Sequence, residues 1–304
     1  MTIPLLQPAQ YPPSAILPNT EYFEIQSEIA GQRYAVWVNL PPRYDSEGDR
    51  RYPAIFTPDG NLFVPLFIPF NGLLRDDPIY PIQPFVQVSV GYCGADIADW
   101  ITRGRNRDLL PPNEPASPAH LAGFEAAVAA GIWTAEMGES FRASVINGGR
   151  ADLYLRFLAE ELYPRITERW RIDAASTGLF GDSYSGLFSA WVALQRHPLF
   201  TRIGAASPGM ATRESKVFKL LKQEVANGAD HSGRRLHMTI CEGEMTVASP
   251  YQMLGASYAE FTYQLGLAPL KGLTFTSAVI PTESHLTGAT PSWFSFLRAC
   301  YSGT

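Results

Sequence analysis

Ser176-Thr-Gly-Leu-Phe-Gly-Asp-Ser-Tyr-Ser-Gly-Leu-Phe-Ser-Ala-Trp-Val-Ala-Leu194 decides how this chain is read. An apolar run, Thr177–Phe180, leads into a tight turn centred on Ser183 and then into a helical stretch, Leu187–Arg196. A serine placed between strand and helix in this way sits on a sharp, strained turn that lifts its hydroxyl above the sheet. The first N–H groups of the helix then point at whatever binds beside that oxygen. Glycines at 181 and 186 let backbone pass close to the turn, and Ser185 stands where a second glycine is usual. The plain alternative is an N-cap serine that only starts a helix. An apolar strand directly before and an apolar helix directly after favour a nucleophile.

Outward from this segment the pattern alternates. Strand Ile203–Ala206 precedes helix Glu214–Asn227, strand Leu236–Cys241 precedes helix Tyr251–Leu265, and strand Leu273–Ile280 precedes helix Pro291–Tyr301. Such alternation predicts βαβ crossovers and a mainly parallel sheet with helices on both faces. Upstream, Glu21–Glu28 and Gln32–Asn39 read as an antiparallel hairpin turning at Ala30-Gly31. Tyr52–Thr57 runs into turn chemistry at Pro58-Asp-Gly-Asn61, and Phe85–Tyr92 reads as a valine-rich strand. Asp152–Trp170 is helical by its apolar spacing, with a kink expected at Pro164. Residues 1–20 are proline-rich and expected to lie extended on the surface. Residues 111–147 break the rhythm with a long connection that carries the alanine-rich run Ala119–Ala130 and then Ile132-Trp133. Connections of that length tend to be functional, so a lid or pocket wall is expected there, within a single domain over 1–304.

The 304 residues are 46% hydrophobic and 17% charged, enough for a large core without disulfide or metal staples. A formal net charge of −5 argues against nucleic acid or an anionic membrane as the main partner. Cys93, Cys241 and Cys300 are widely spaced, which reads as free thiols in a reducing compartment. Met1-Thr-Ile-Pro-Leu-Leu-Gln-Pro8 lacks the basic and continuous apolar regions of a secretory signal, and no run of about 18 apolar residues is present. A soluble, cytoplasmic protein is expected.

A serine hydroxyl needs a base to take its proton. Of the five histidines, His197 lies at a helix end, His231 in a polar loop, His237 within a strand and His120 in the unusual connection. His285 follows the final strand, the place of the base when the chain order is Ser, acid, His. The acid belongs after strand Leu236–Cys241, where Glu242-Gly-Glu244 stands. Glu244 is favoured because Gly243 permits a tight reversal towards the histidine loop; Glu242, or a Ser–His dyad with no acid, stays open. One oxyanion-hole N–H is expected from Tyr184 and the second from the loop at Gly60 and Asn61.

Several separate pieces together resemble the esterase D superfamily of α/β-hydrolases, above all its branch of siderophore trilactone esterases of enterobactin and bacillibactin type. They are Tyr52-Pro53 through Asp59-Gly60-Asn61, Val90-Gly-Tyr92, Arg105-Asn-Arg-Asp-Leu109, Asn147-Gly-Gly149 with the Phe157–Leu162 helix, Gly181–Phe188, Ser207-Pro208 and Glu283-Ser-His285. They run in family order from about residue 21 to 301. The resemblance implies an α/β-hydrolase fold, Ser183 as nucleophile, His285 as base, and an oxyanion hole from Gly60, Asn61 and the N–H of Tyr184. The chain departs from the pattern at Ser185, at Gly209-Met-Ala after Ser207-Pro208, in the longer 111–147 region, and at Thr246, where relatives tend to place the acid.

The reading is a serine hydrolase that cleaves a carboxylic ester or lactone through an acyl-enzyme, its substrate siderophore-like or another natural product. Acyl transfer from the same intermediate, or a non-catalytic binding member of the fold, are the alternatives. Arg107 and Trp133 are candidate substrate contacts, although the family context implies that Arg105 or Arg107 is structural. No metal or organic cofactor is expected, and oligomeric state is left open.

Overall fold

The computed structural model describes residues 16–94, 104–116, 118–246 and 251–303; the proline-rich residues 1–15 lie outside them. Eight strands form one sheet in the order β1-β2-β4-β3-β5-β6-β7-β8. They span Thr20–Ser27, Gln32–Asn39, Ala54–Thr57, Val86–Tyr92, Gly178–Asp182, Arg202–Ala206, Arg235–Cys241 and Thr274–Ile280 for β1 to β8. β1 and β2 pair antiparallel, as do β2 and β4, and every later pairing is parallel. The expected α/β-hydrolase architecture is therefore present, with the hairpin on one edge. Gly31 supplies the positive φ of 65° that the hairpin turn needs.

In chain order the helices are α1 (Gly60–Leu74), α2 (Arg105–Leu109), α3 (Pro118–Ala129), α4 (Ala135–Ile146), α5 (Ala151–Arg156), α6 (Tyr163–Arg169), α7 (Tyr184–Leu194), α8 (Lys216–Ala226), α9 (Gln252–Leu267) and α10 (Ala289–Tyr301). The period-2 geometry of a strand sends neighbouring residues to opposite faces. Phe56, Leu179 and Ala205 thus join one core cluster, while Ile55, Phe180 and Ala206 join the other. The second cluster is built on aromatic stacking: Trp293 of α10 lies flat on Phe67 of α1 at 4.8 Å and edge-on to Phe180 of β5 at 5.1 Å. Those contacts pin one face of the central strand against two helices that pack on each other.

Two elements differ from their sequence reading. α1 was legible only as turn residues, because Pro65 and Pro69 stand inside it and remove interior hydrogen bonds. The expected helix over 152–170 is broken into α5, a π-helical turn at Phe157–Leu162, and α6. Pro164 opens α6, where its missing N–H is tolerated, so the predicted kink takes the form of a widened turn. From that turn Glu161 accepts hydrogen bonds from the Ser27 hydroxyl and from the N–H groups of Glu28 and Ile29. The 111–147 connection contains helices α3 and α4 rather than irregular loop.

His237, in β7, is a satisfied strand histidine. Its Nδ1 lies 2.8 Å from Thr276 Oγ1 of β8 and its Nε2 2.9 Å from Ser295 Oγ of α10. Burial alone lowers its pKa from 6.5 to about 4. The unfolded chain therefore binds a proton on this group at a higher pH than the folded chain does. Stability is full above about 6.5 and falls as pH drops towards 4, by on the order of 3 kcal/mol. Thermal unfolding between pH 7 and 4 should show that decline, and His237→Gln should flatten the part due to this group; an unchanged pH slope in the variant would refute the assignment.

Candidate active site

Ser183 follows the last residue of β5 and precedes α7, with φ 61° and ψ −118°. A non-glycine residue rarely adopts that backbone, and it persists only where its surroundings enforce it. Here the enforcement is visible. Ser183 N–H donates to Ala206 O at 3.0 Å, and Ser183 O accepts from Leu187 N and Gly209 N, each at 2.8 Å. The glycines leave room for this packing: a Cβ on Gly181 would lie 2.2 Å from Ser185 O, and one on Gly186 2.3 Å from Ala206 O.

The structure brings Ser183, His285 and Glu244 into one chain of hydrogen bonds. Ser183 Oγ lies 3.0 Å from His285 Nε2, and His285 Nδ1 lies 2.7 Å from Glu244 Oε1. With Glu244 ionised, Nδ1 carries the proton and Nε2 is free to accept from the serine hydroxyl. Burial pushes the Glu244 carboxyl up, but hydrogen bonds from His285 and Ser207 outweigh it and hold the group below the usual carboxylate range. Its second oxygen accepts from Ser207 Oγ at 2.6 Å and Cys241 N at 2.9 Å. Glu242 is used differently, accepting from the Thr282 N–H at 2.7 Å.

Gly243 places the acid. Its N–H donates to Glu283 O at 3.0 Å, and a Cβ there would lie 2.9 Å from that same oxygen. Gly288 closes the other side of the histidine loop, where a Cβ would meet Cys241 Sγ at 2.0 Å. Tyr251 stacks on the His285 ring, centroids 4.1 Å apart and planes at 20°. Ser207 and Tyr251 escaped the sequence reading as contacts of this site. The signals for Ser207 were its place at the carboxyl end of a strand and its part in the Ser207-Pro208 piece of the family pattern.

The loop after β3 comes up beside the serine. Asp59 is left-handed, φ 58°, and α1 begins at Gly60, so the N–H groups of Gly60 and Asn61 belong to a helix N-terminus. Asn61 is locked by its side chain, whose Oδ1 accepts from Tyr92 N at 2.7 Å while Nδ2 donates to Tyr92 O at 3.0 Å. Asp59 in turn holds Arg105 in a two-pronged ion pair, 2.8 and 2.9 Å. The Arg105 guanidinium also lies over the Tyr184 ring at 5.2 Å and reaches the carbonyl of Asp182 at 3.3 Å. Ser185, the departure from the glycine pattern, completes the tie: its Oγ lies 2.8 Å from Asp59 Oδ2 and accepts from Asp182 N at 2.9 Å. One hydroxyl thus joins the two loops that carry the expected oxyanion donors.

Arg107, expected as a substrate contact, is anchored from within while its side chain stays part-exposed. Its guanidinium is forked onto the buried Asp108 at 2.7 and 3.0 Å, and Asp108 also accepts from Tyr34 OH at 2.8 Å. Trp133 sits in the turn before α4, half-buried and edge-on to Phe141 at 5.5 Å. Among the described residues no cluster of three or more His, Cys, Asp or Glu side chains is placed to hold a metal ion, and no helix is long and apolar enough to cross a membrane.

Comparison with known proteins adds the family context. A family model described as a putative esterase matches residues 125–256, a span that contains Ser183 and Glu244. The chain is 24% identical over 208 residues to the ferri-bacillibactin esterase BesA of Bacillus subtilis (strain 168), covering 67% of this chain and 63% of that protein. Among solved structures, the BES protein from Bacillus cereus superposes with a TM-score of 0.71 at 20% identity over 100% of both chains. The siderophore hydrolase EstA from Aspergillus nidulans does so at 0.71 and 17% identity over 97% of each. The matches bear out the resemblance to esterases of this kind, and the solved structures bear out the fold.

Removal of the Ser185 hydroxyl leaves the Asp182 N–H without its acceptor and takes a donor from Asp59. Ser185→Ala should therefore cost about 1–3 kcal/mol of folding stability, read as a lower midpoint in urea unfolding. A midpoint equal to wild type would show that this tie carries no weight.

Proposed function

We propose that this protein hydrolyses a small-molecule ester or lactone of siderophore-like character through an acyl-enzyme on Ser183. The observation that carries the reading is the unbroken run from Glu244 through His285 to the Ser183 hydroxyl, at 2.7 and 3.0 Å. In this reading Ser183 Oγ attacks the ester carbonyl as His285 Nε2 takes its proton. Glu244 holds the imidazole in the required tautomer and offsets the positive charge that forms on it. The N–H of Tyr184 and those of Gly60 and Asn61 receive the oxyanion, where fixed donors cost no reorganisation during reaction. His285 passes its proton to the departing alcohol. A water then attacks the acyl group with the same imidazole as base, and Ser183 is released.

The siderophore-like substrate rests on the relatives, which are named as a ferri-bacillibactin esterase and a siderophore hydrolase. The chain spans only 63% of the curated relative, so the substrate belongs to this proposal. Residues 111–147 are read as a pocket wall: Glu114, Pro115, Ala116 and Val145 line a small cavity together with Tyr184 and Gly209. A cytoplasmic setting accords with three free cysteines, of which Cys241 and Cys300 are buried.

Ser183→Ala should lower turnover of p-nitrophenyl butyrate by on the order of 10⁶, and Glu244→Gln, which disturbs the tautomer while keeping shape, by about 10³–10⁴. A fluorophosphonate probe should label the wild type at Ser183 alone. Wild-type rates in Ser183→Ala would end the nucleophile assignment. A panel of cyclic trilactones against simple aryl esters tests the substrate class, which fails if the lactones are not cleaved.

A further inference from the structure

Two hydrogen bonds hold the imidazole of His285, one between Nε2 and Ser183 Oγ and one between Nδ1 and Glu244 Oε1. Hydrogen bonds at ring nitrogens prefer near-linear geometry, so both act in the plane of the ring. They fix its edges and do little to oppose a twist about the line joining the two nitrogens. The face of the ring is covered by another element. Tyr251, the residue before α9, lays its own ring over it with centroids 4.1 Å apart and planes at 20°.

α9 is itself anchored beside the acid. A Cβ on Gly255 would lie 2.6 Å from Glu244 O, and Leu254, Tyr258, Phe261 and Leu265 of the same helix are buried. The Leu254 N–H donates to Tyr251 O at 2.8 Å, which ties the tyrosine to the first turn. One helix thus packs on the backbone of the acid and, through the residue that precedes it, on the ring of the base.

Resting on the reading of His285 as general base, we propose that Tyr251 is its positioning residue, holding the imidazole against twist and stabilising the imidazolium that forms as Ser183 attacks. The face of an aromatic ring is negative and attracts a cation placed over it. Neutral imidazole gains only packing from the same contact. The difference arises as charge develops, so it acts on kcat and leaves KM alone. The phenol itself stays neutral, because burial raises its pKa above the usual value and the Glu244 charge raises it further.

Two other titratable groups face His285: Glu244, after β7, and Asp182, at the end of β5. Burial holds the Asp182 carboxyl up at about 7, so it titrates in the same range as an imidazole. Both carboxylates remain in every variant at position 251, and comparison among those variants isolates the ring.

Turnover of p-nitrophenyl butyrate from pH 5 to 9 reads this in the full chain, in Tyr251→Leu and in Tyr251→Phe. Leucine keeps an apolar side chain there without a π face. Tyr251→Leu should lower kcat by about threefold to tenfold with KM within about twofold, and should move the acid limb of kcat/KM down by about half a pH unit. Tyr251→Phe should return the limb to its wild-type position. Should Tyr251→Leu fail to fold, pentafluorophenylalanine at position 251 keeps the shape of a ring while reversing the sign of its face, and should move the limb the same way. A slower Tyr251→Leu with an unmoved limb would reduce the contact to packing and overturn the inference. A change confined to KM, or a Tyr251→Phe that matches Tyr251→Leu, would overturn it equally. Fluorophosphonate labelling of Ser183 in the wild type separates the two readings: a labelled wild type with an unresponsive position 251 removes this inference alone, and an unlabelled wild type removes both.

Discussion

The backbone of Ser183 is the constraint on which the rest depends. A serine at φ 61° and ψ −118° is not where a free chain would settle. It is held there because β5 lies in the middle of a parallel sheet and α7 must leave it at once. Packing supplies the holding force: Phe180 and Leu179 lock the strand from opposite faces, and Gly181 and Gly186 let α7 and β6 approach closely. What the strained turn provides is direction. The hydroxyl emerges where the loops after β3, β7 and β8 converge, so each of them contributes one part of the site.

Those loops are fastened to one another as well as to the sheet. Gly243 and Glu283 join the acid and histidine loops through backbone, and Glu242 reinforces the same junction from its side chain. On the opposite side, Asp59, Arg105 and Ser185 bind the start of α1 to the nucleophile turn. A site assembled from four loops would otherwise pay in conformational entropy for every encounter. Here the geometry is set before any ligand arrives, which is the condition under which fixed dipoles stabilise developing charge.

How much of this was readable from the chain follows from the range of the forces involved. Strands announce themselves by local apolar patterning, so all eight strand segments fall within a few residues of where the sequence places them. The chain order of Ser183, Glu244 and His285 marks them as candidates, while the distances among them come only from the fold. α1 was hidden because two prolines contradict its local propensity, and tertiary burial of Phe63 and Phe67 overrides them. Choosing between Arg105 and Arg107 was beyond any local pattern. Arg105 meets an aspartate 46 residues away, and Ser185 meets the same aspartate across 126 residues. The substitution of serine for glycine at 185 looks like damage to a motif until that distant partner is in view.

The close approach of Gly288 to the Cys241 sulfur carries a consequence for labelling work. That thiol is fully enclosed and its pKa is pushed up by burial to about 12, so thiolate-seeking reagents have nothing to attack in the closed protein. An alkyl group or added oxygen atoms on this sulfur would wedge between β7 and the start of α10, beside the glutamate that orients His285. Alkylation of Cys241 would accordingly act as a clock for transient opening of the sheet's carboxyl end, and each molecule that registers an opening would be locked out of the competent arrangement.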